Sequence, residues 1–168
     1  MNYENETYIN GKDIWLTYNA RLIHDSFTNL LLPANRKPFT QNEARHQPGK
    51  QIFASNPQPY DKDVQLTFLV KCVDRLAFLQ KYKQLVDELE KGLIELKVIP
   101  IQTIYKLTMD SPMSLDVFGN DNAGLLVVKF NEPNPMDRRS TNLTAKVLAT
   151  PDSLALSAAN KVLTEEIK

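Results

Sequence analysis

Few side chains in this sequence are of types that do chemistry, and their spacing limits what they could do. The chain has two histidines, His24 and His46, and one cysteine, Cys72. Neither histidine has cysteine or carboxylate neighbours at metal-ligand spacing. His24-Asp25-Ser26 contains the three residue types of a hydrolase triad, but side chains on adjacent residues cannot form the usual relay. That tripeptide reads as a turn between two strands. Asp110, Asp116, Asp121 and Glu132 could hold calcium or serve as acid and base, but they are spread over turns where carboxylates are normally solvated. Neither G-x-x-x-x-G-K-[ST] nor G-x-G-x-x-G occurs. The sequence therefore names no catalytic residue, no cofactor-binding residue and no metal ligand, and it reads as a non-enzyme.

Cys72 ends an apolar alternation, which predicts a small buried hydrophobe rather than a nucleophile. A single cysteine makes no intrachain disulfide, so the fold does not need an oxidising compartment. The aromatics Tyr8, Trp15, Tyr18, Phe27, Phe39, Phe53 and Tyr60 crowd the first sixty residues. They could stack bases or sugars, but packing within a β-rich segment or at an interface is the simpler expectation.

The 168 residues carry 20 basic and 20 acidic side chains. The balance holds locally, at seven of each over 1–63, eight over 64–131 and five over 132–168. A neutral chain without a basic face is not built to bind nucleic acid through phosphates. The one local bias is 33–50, where Arg36, Lys37, Arg45 and Lys50 stand against Glu43. No apolar run approaches the roughly 20 residues of a membrane-spanning helix. Residues 1–10 are polar and acidic, unlike a signal peptide.

The elements that would position these residues are mostly strands. Asn10-Gly11 is a hairpin-turn dipeptide. Ile14–Tyr18, Ala20–His24 and Thr28–Leu32 carry strand-like composition. Pro33, Pro38, Pro48 and Gly49 then interrupt any long element, so 33–50 is expected to be an extended arm or long hairpin, with a strand at 50–54. In 64–72, Val64, Leu66, Phe68, Val70 and Cys72 alternate with mostly polar residues, the period of a half-buried strand. At Asp74, a natural helix cap, the period changes. Leu76, Leu79, Tyr82, Leu85, Val86 and Leu89 predict a helix over 75–91, roughly 25 Å long, with Lys81, Lys83, Glu88 and Glu90 facing away and Gly92 closing it. Strands follow at 93–99, 104–109, 114–118 and 124–130. The density of the last suggests cover on both faces, or by a neighbouring chain. Pro133 and Pro135 open a linker. Thr150-Pro151-Asp152 then has the order of a helix start, with a short helix over 154–167. This divides the chain into a β-rich unit, 1–131, and a linker with a C-terminal arm, 132–168.

This order of elements, with Ile9-Asn10-Gly11 at the opening, a Pro-rich arm containing Gln47-Pro48-Gly49-Lys50, the alternating strand 64–72 and the helix from Asp74 to Gly92, resembles the N-terminal ring-forming domain of phage distal tail proteins and related tail-tube components. The resemblance covers roughly 7–131. The arm lacks the Gly-Arg-Asp-Gly type of turn of many such proteins, and only about 37 residues follow where many relatives carry a second domain. The resemblance implies an α+β fold, a mainly antiparallel β-sandwich or split barrel with one long flanking helix. It also implies a structural role in a distal tail, tube or baseplate ring. The implied partners are further copies of the chain in a closed ring, commonly a hexamer, and other tail proteins, with no cofactor, no specific nucleic acid and no membrane insertion. The implied location is the bacterial cytoplasm during assembly and the virion tail afterwards. Without the resemblance, the residues also suit a monomeric β-rich ligand-binding module.

Overall fold

The computed structural model describes residues 3–42, 51–53 and 56–141. The expected helix at 154–167, its cap Thr150-Pro151-Asp152, and Glu43, Arg45, His46 and Lys50 lie outside the described residues. Among the described residues the architecture is an eight-stranded antiparallel sheet, a separate two-stranded ribbon and three helices, an α+β fold in which the main sheet stays open rather than closing into a barrel.

Strand β1 (Thr7–Ile9) turns through Asn10 and Gly11 into β2 (Lys12–Asp13). Both turn residues have positive φ, 50° and 79°, the geometry that selects Asn-Gly in two-residue hairpins. Asn10 also donates its backbone N–H to Glu95 O at 2.9 Å and accepts the Glu95 N–H on Oδ1 at 3.0 Å. Ile14–Tyr18, expected as a strand, is helix α1. The reason is Asp13, whose Oδ1 accepts the N–H groups of Trp15 and Leu16 at 2.8 and 3.0 Å and so caps a helical turn. Asn19, with φ 51°, ends it.

Strand β3 (Ala20–Leu22) leads directly into α2 (His24–Leu31). His24-Asp25-Ser26 is thus the first turn of a helix, and Thr28–Leu31 is helical rather than extended. The buried residues Ser26 and Leu30 lie one helical repeat apart. Two short strands, β4 (Thr40–Asn42) and β5 (Gln51–Phe53), form the outer part of the arm.

The long strand β6 (Lys62–Lys71) pairs over its whole length with β9 (Ala123–Glu132), from Lys62↔Glu132 to Lys71↔Ala123. The expected alternation holds: Val64, Leu66, Phe68 and Val70 are buried, as is Cys72 beyond the strand. Across the ladder Leu126, Val128 and Phe130 complete the same face, and the Phe68 and Phe130 rings meet edge to face at 6.4 Å. Leu125 and Val127 on the other face of β9 are only half-buried.

Helix α3 (Arg75–Leu89) covers the buried face. Asp74 caps it as expected, its Oδ1 accepting the Ala77 N–H at 2.7 Å, and Gly92 takes φ 95°. The buried side differs from the expected one. Phe78, Leu85, Glu88 and Leu89 face the core, while Leu76 and Leu79 are exposed at 67% and 48%. Phe78 decides this rotation: it offers the largest apolar surface in the first turns, and its burial alone contributes about 1.5–3 kcal/mol.

Strand β7 (Leu93–Val98) pairs with β1 and with β8 (Thr103–Phe118). β8 merges the strands expected at 104–109 and 114–118. Two bulges lie between them, at Met109/Ser111 and Pro112/Ser114. Each bulge flips the inward parity, so the pair restores it. Leu107 and Leu115 therefore belong to the same face although Pro112 intervenes. The sheet order is β2-β1-β7-β8-β9-β6-β3, and β10 (Arg139–Ser140) adds to the start of β8. The two edge strands β2 and β3 are joined through α1, with only residues 14–19 between them.

Candidate assembly surface

The arm is a two-stranded ribbon leaving the sheet between α2 and β6. Its root is laced by Tyr60 N–H to Asn35 O and Lys37 N–H to Gln58 O, both 2.8 Å, with a bridge between Arg36 and Pro59. Farther out, Thr40 lies opposite Phe53. Ile52, Phe53 and Tyr60 are exposed, and Lys37 Nζ stands 5.8 Å above the Tyr60 ring. Phe39 and Phe53 line a cleft of about 250 Å³ in the ribbon. Neither Arg36 nor Lys37 has an ion-pair partner among the described residues.

The base of the ribbon is tied by hydrogen bonds to the end of α2. Lys62 at the start of β6 is buried, and its ammonium donates to the carbonyls of Asn29, Leu30 and Leu32 at 2.8, 3.0 and 2.5 Å. One cation thus terminates α2, where free carbonyls and the helix dipole favour positive charge. Burial, and then the nearby Arg138, lowers the Lys62 pKa. Beside it Arg138 donates twice to the buried carboxylate of Glu132, 2.7 Å each, and its guanidinium lies 5.0 Å from the Tyr105 ring centre. Asp137 pairs with Lys106. Through these contacts and β10, residues 133–141 fold back onto the sheet.

The opposite end of the sheet carries the second feature. β7 ends its pairing at Thr108 of β8, whereas β9 continues to Phe118. From 109 to 118, β8 is therefore paired on one side only among the described residues. Met113, Leu115, Val117 and Phe118 are all exposed there. The stretch 107–122 holds Asp110, Asp116 and Asp121 and no lysine or arginine. Asp110 lies 3.4 Å from Lys129 and Asp121 3.5 Å from Arg75. Asp116 has no ion-pair partner among the described residues. Val73 and Leu76 at the start of α3 add exposed apolar surface.

The residues weighed for chemistry do not converge. Ser26 Oγ donates to Thr67 O at 3.2 Å and accepts the Thr67 N–H at 2.8 Å, so it is held on the edge of β6 while His24 and Asp25 face solvent. Cys72 is buried, and burial raises its thiol pKa. Glu132 is held by Arg138. The aromatics are dispersed. Tyr18 is buried, Trp15 meets Tyr3 edge to face at 5.3 Å, Tyr8 lies under Lys97, and Phe39, Phe53 and Tyr60 are on the arm. Among the described residues no group of three or more His, Cys, Asp or Glu is placed to hold a metal.

Sequence reasoning missed Glu88, expected on the solvent side of α3. It is buried, and its carboxylate accepts from Asn10 Nδ2, Lys12 Nζ and Lys91 Nζ, each 2.8 Å, and from Tyr18 OH at 3.2 Å. These donors, led by Asn10, hold its pKa down at about 2. Burial, then Glu88 itself, pushes the Tyr18 hydroxyl up to about 12. The knot ties α3 to the β1–β2 hairpin and α1. With every donor engaged it is a structural joint.

No protein-family model matches the chain, and no curated protein does. Among solved structures the chain is similar to the Dit (gp 19.1) protein of phage SPP1, described as a paradigm of the hub adsorption apparatus in phages that infect Gram-positive bacteria. The alignment has 10% identity and a TM-score of 0.49, and covers 77% of this chain and 50% of that one. The chain thus spans half the length of that protein.

Proposed function

We propose that the chain is a non-catalytic structural component of a phage or phage-like tail, a distal tail, tube or baseplate ring. It acts by self-association and by docking to neighbouring tail proteins. The supporting observation is the one-sided distal half of β8, exposed on both faces and carrying Met113, Leu115, Val117 and Phe118. An open strand edge with apolar side chains is a hazard for a lone monomer and an asset for an assembling one. The projecting ribbon and the resemblance in element order support the same reading. Heterologous contacts of this kind close into rings when the rotation permits, and a hexamer is the expected copy number. Such a chain is made in the bacterial cytoplasm and ends in the virion tail.

Solution mass, by sedimentation velocity and native mass spectrometry, tests the proposal. The full chain should form a closed oligomer, and deleting 36–46 should leave a folded monomer. A full chain that stays monomeric at every concentration overturns the ring. One observation favours a monomeric ligand-binding module instead: a cleft of about 470 Å³ lined by Leu31, Ile101, Thr103, Tyr105 and Arg138. That reading expects the monomer.

A further inference from the structure

We infer that the open edge of β8, residues 109–118, receives the β4–β5 ribbon of a second copy of this chain. The inference rests on the ring reading and specifies its contact. The two surfaces are complementary in backbone, charge and length.

Among the described residues nothing pairs with the free side of β8 beyond Thr108, which leaves a row of backbone donors and acceptors, and adding a strand is the direct way to satisfy such a row. The bulges confine a regular ladder to the uninterrupted run Ser114–Phe118. β4 and β5 are three residues each, short enough to fit that run, and among the described residues each pairs only with the other.

The charges oppose. The stretch 107–122 has three acidic side chains and no basic one, a formal −3. The described part of the ribbon, 33–42, 51–53 and 56–60, has Arg36 and Lys37 and no acidic residue, a formal +2. The exposed, ion-unpaired Asp116 on one side and Arg36 and Lys37 on the other provide attraction that orients the contact. Apolar surface is present on both, with Leu115, Val117 and Phe118 on the edge and Ile52 and Phe53 on the ribbon. Because the ribbon and the edge are different surfaces of one molecule, the contact is head to tail. The same charges disfavour edge against edge and ribbon against ribbon.

The test uses the full chain. Asp116→Lys, or Arg36→Glu with Lys37→Glu, should each weaken assembly by about tenfold or more, and combining them in one chain should restore most of the loss. Assembly should also weaken as salt rises. A second measurement covers variants that fold poorly. Chains with Ser114→Cys and chains with Ile52→Cys are mixed and oxidised, and should cross-link to each other. If the wild type assembles while the reversals leave its dissociation constant unchanged, this contact is overturned and the ring reading stands. Ser114→Cys chains that link only among themselves show edge-to-edge pairing and overturn it equally. A wild type that never assembles removes the ring reading and this contact together.

Discussion

Phe78 of α3 closes on Gly124 of β9 so tightly that a β-carbon at position 124 would stand 2.8 Å from Phe78 Cζ and 3.2 Å from Cε2. The ring occupies the space a side chain would need, and the helix sits at its observed height above the sheet because that position has none. Gly124→Ala should therefore destabilise the protein by about 1–3 kcal/mol, through overpacking rather than backbone strain. Urea-unfolding midpoints read this directly, and an unshifted midpoint would refute the contact.

The same geometry ranks two neighbours on α3. Phe78→Ala should cost about 3–5 kcal/mol. Leu79→Ala, at a half-exposed position, should change stability by no more than about 1 kcal/mol. Equal losses would mean that the helix is rotated from the orientation described.

Glu88 makes part of the stability depend on pH. Its folded pKa is about 2, against an ordinary value of 4.5. A carboxylate with a depressed folded pKa contributes fully above its unfolded value and loses that contribution as pH falls toward the folded one. Between about pH 4.5 and 2 the wild type should lose stability more steeply than Glu88→Gln. Parallel unfolding series across that window, with coincident slopes, would exclude Glu88 as the source.

Lys62 holds three carbonyls at the end of α2, and Lys62→Met leaves them without that donor. The expected cost is about 2–3 kcal/mol, with hydrogen exchange in 27–32 accelerating more than in β9. Uniform acceleration throughout the sheet would assign Lys62 a global role instead.

The middle of the sequence was legible because its patterns are local. The period-two run of β6, the cap at Asp74 and the turn at Asn10-Gly11 each state their geometry within a few residues. Pro33 and Pro38 likewise pointed to an arm, expected at 33–50, of which 33–42 is described. α1 and α2 were not legible by composition: Ile14–Tyr18 is rich in strand formers, and the Asp13 cap overrides that bias. α2 does carry helical spacing, with Phe27, Leu30 and Leu31 on one side, but at eight residues the run is too short to tell from a strand by period alone. The open edge of β8 could not be read at all. It exists because β7 has six residues and β8 has sixteen, a mismatch visible only once the register is known. Glu88 and Lys62 were hidden for a related reason: Lys91 aside, the partners of Glu88 are Asn10, Lys12 and Tyr18, and those of Lys62 lie at 29–32, all far away in sequence.

The place of β1 in the sheet has a consequence for biosynthesis. Thr7 pairs with Val98, so β1 pairs with a segment translated about ninety residues after it. At about 5–20 residues per second, roughly 5–18 seconds separate the two. Throughout that interval the β1–β2 hairpin lacks β7, the strand it joins in the sheet, and Glu88, the anchor for Asn10 and Lys12, is made only near its end. Closure of this side of the molecule is therefore a late event in the life of each nascent chain, whatever order the remaining strands follow.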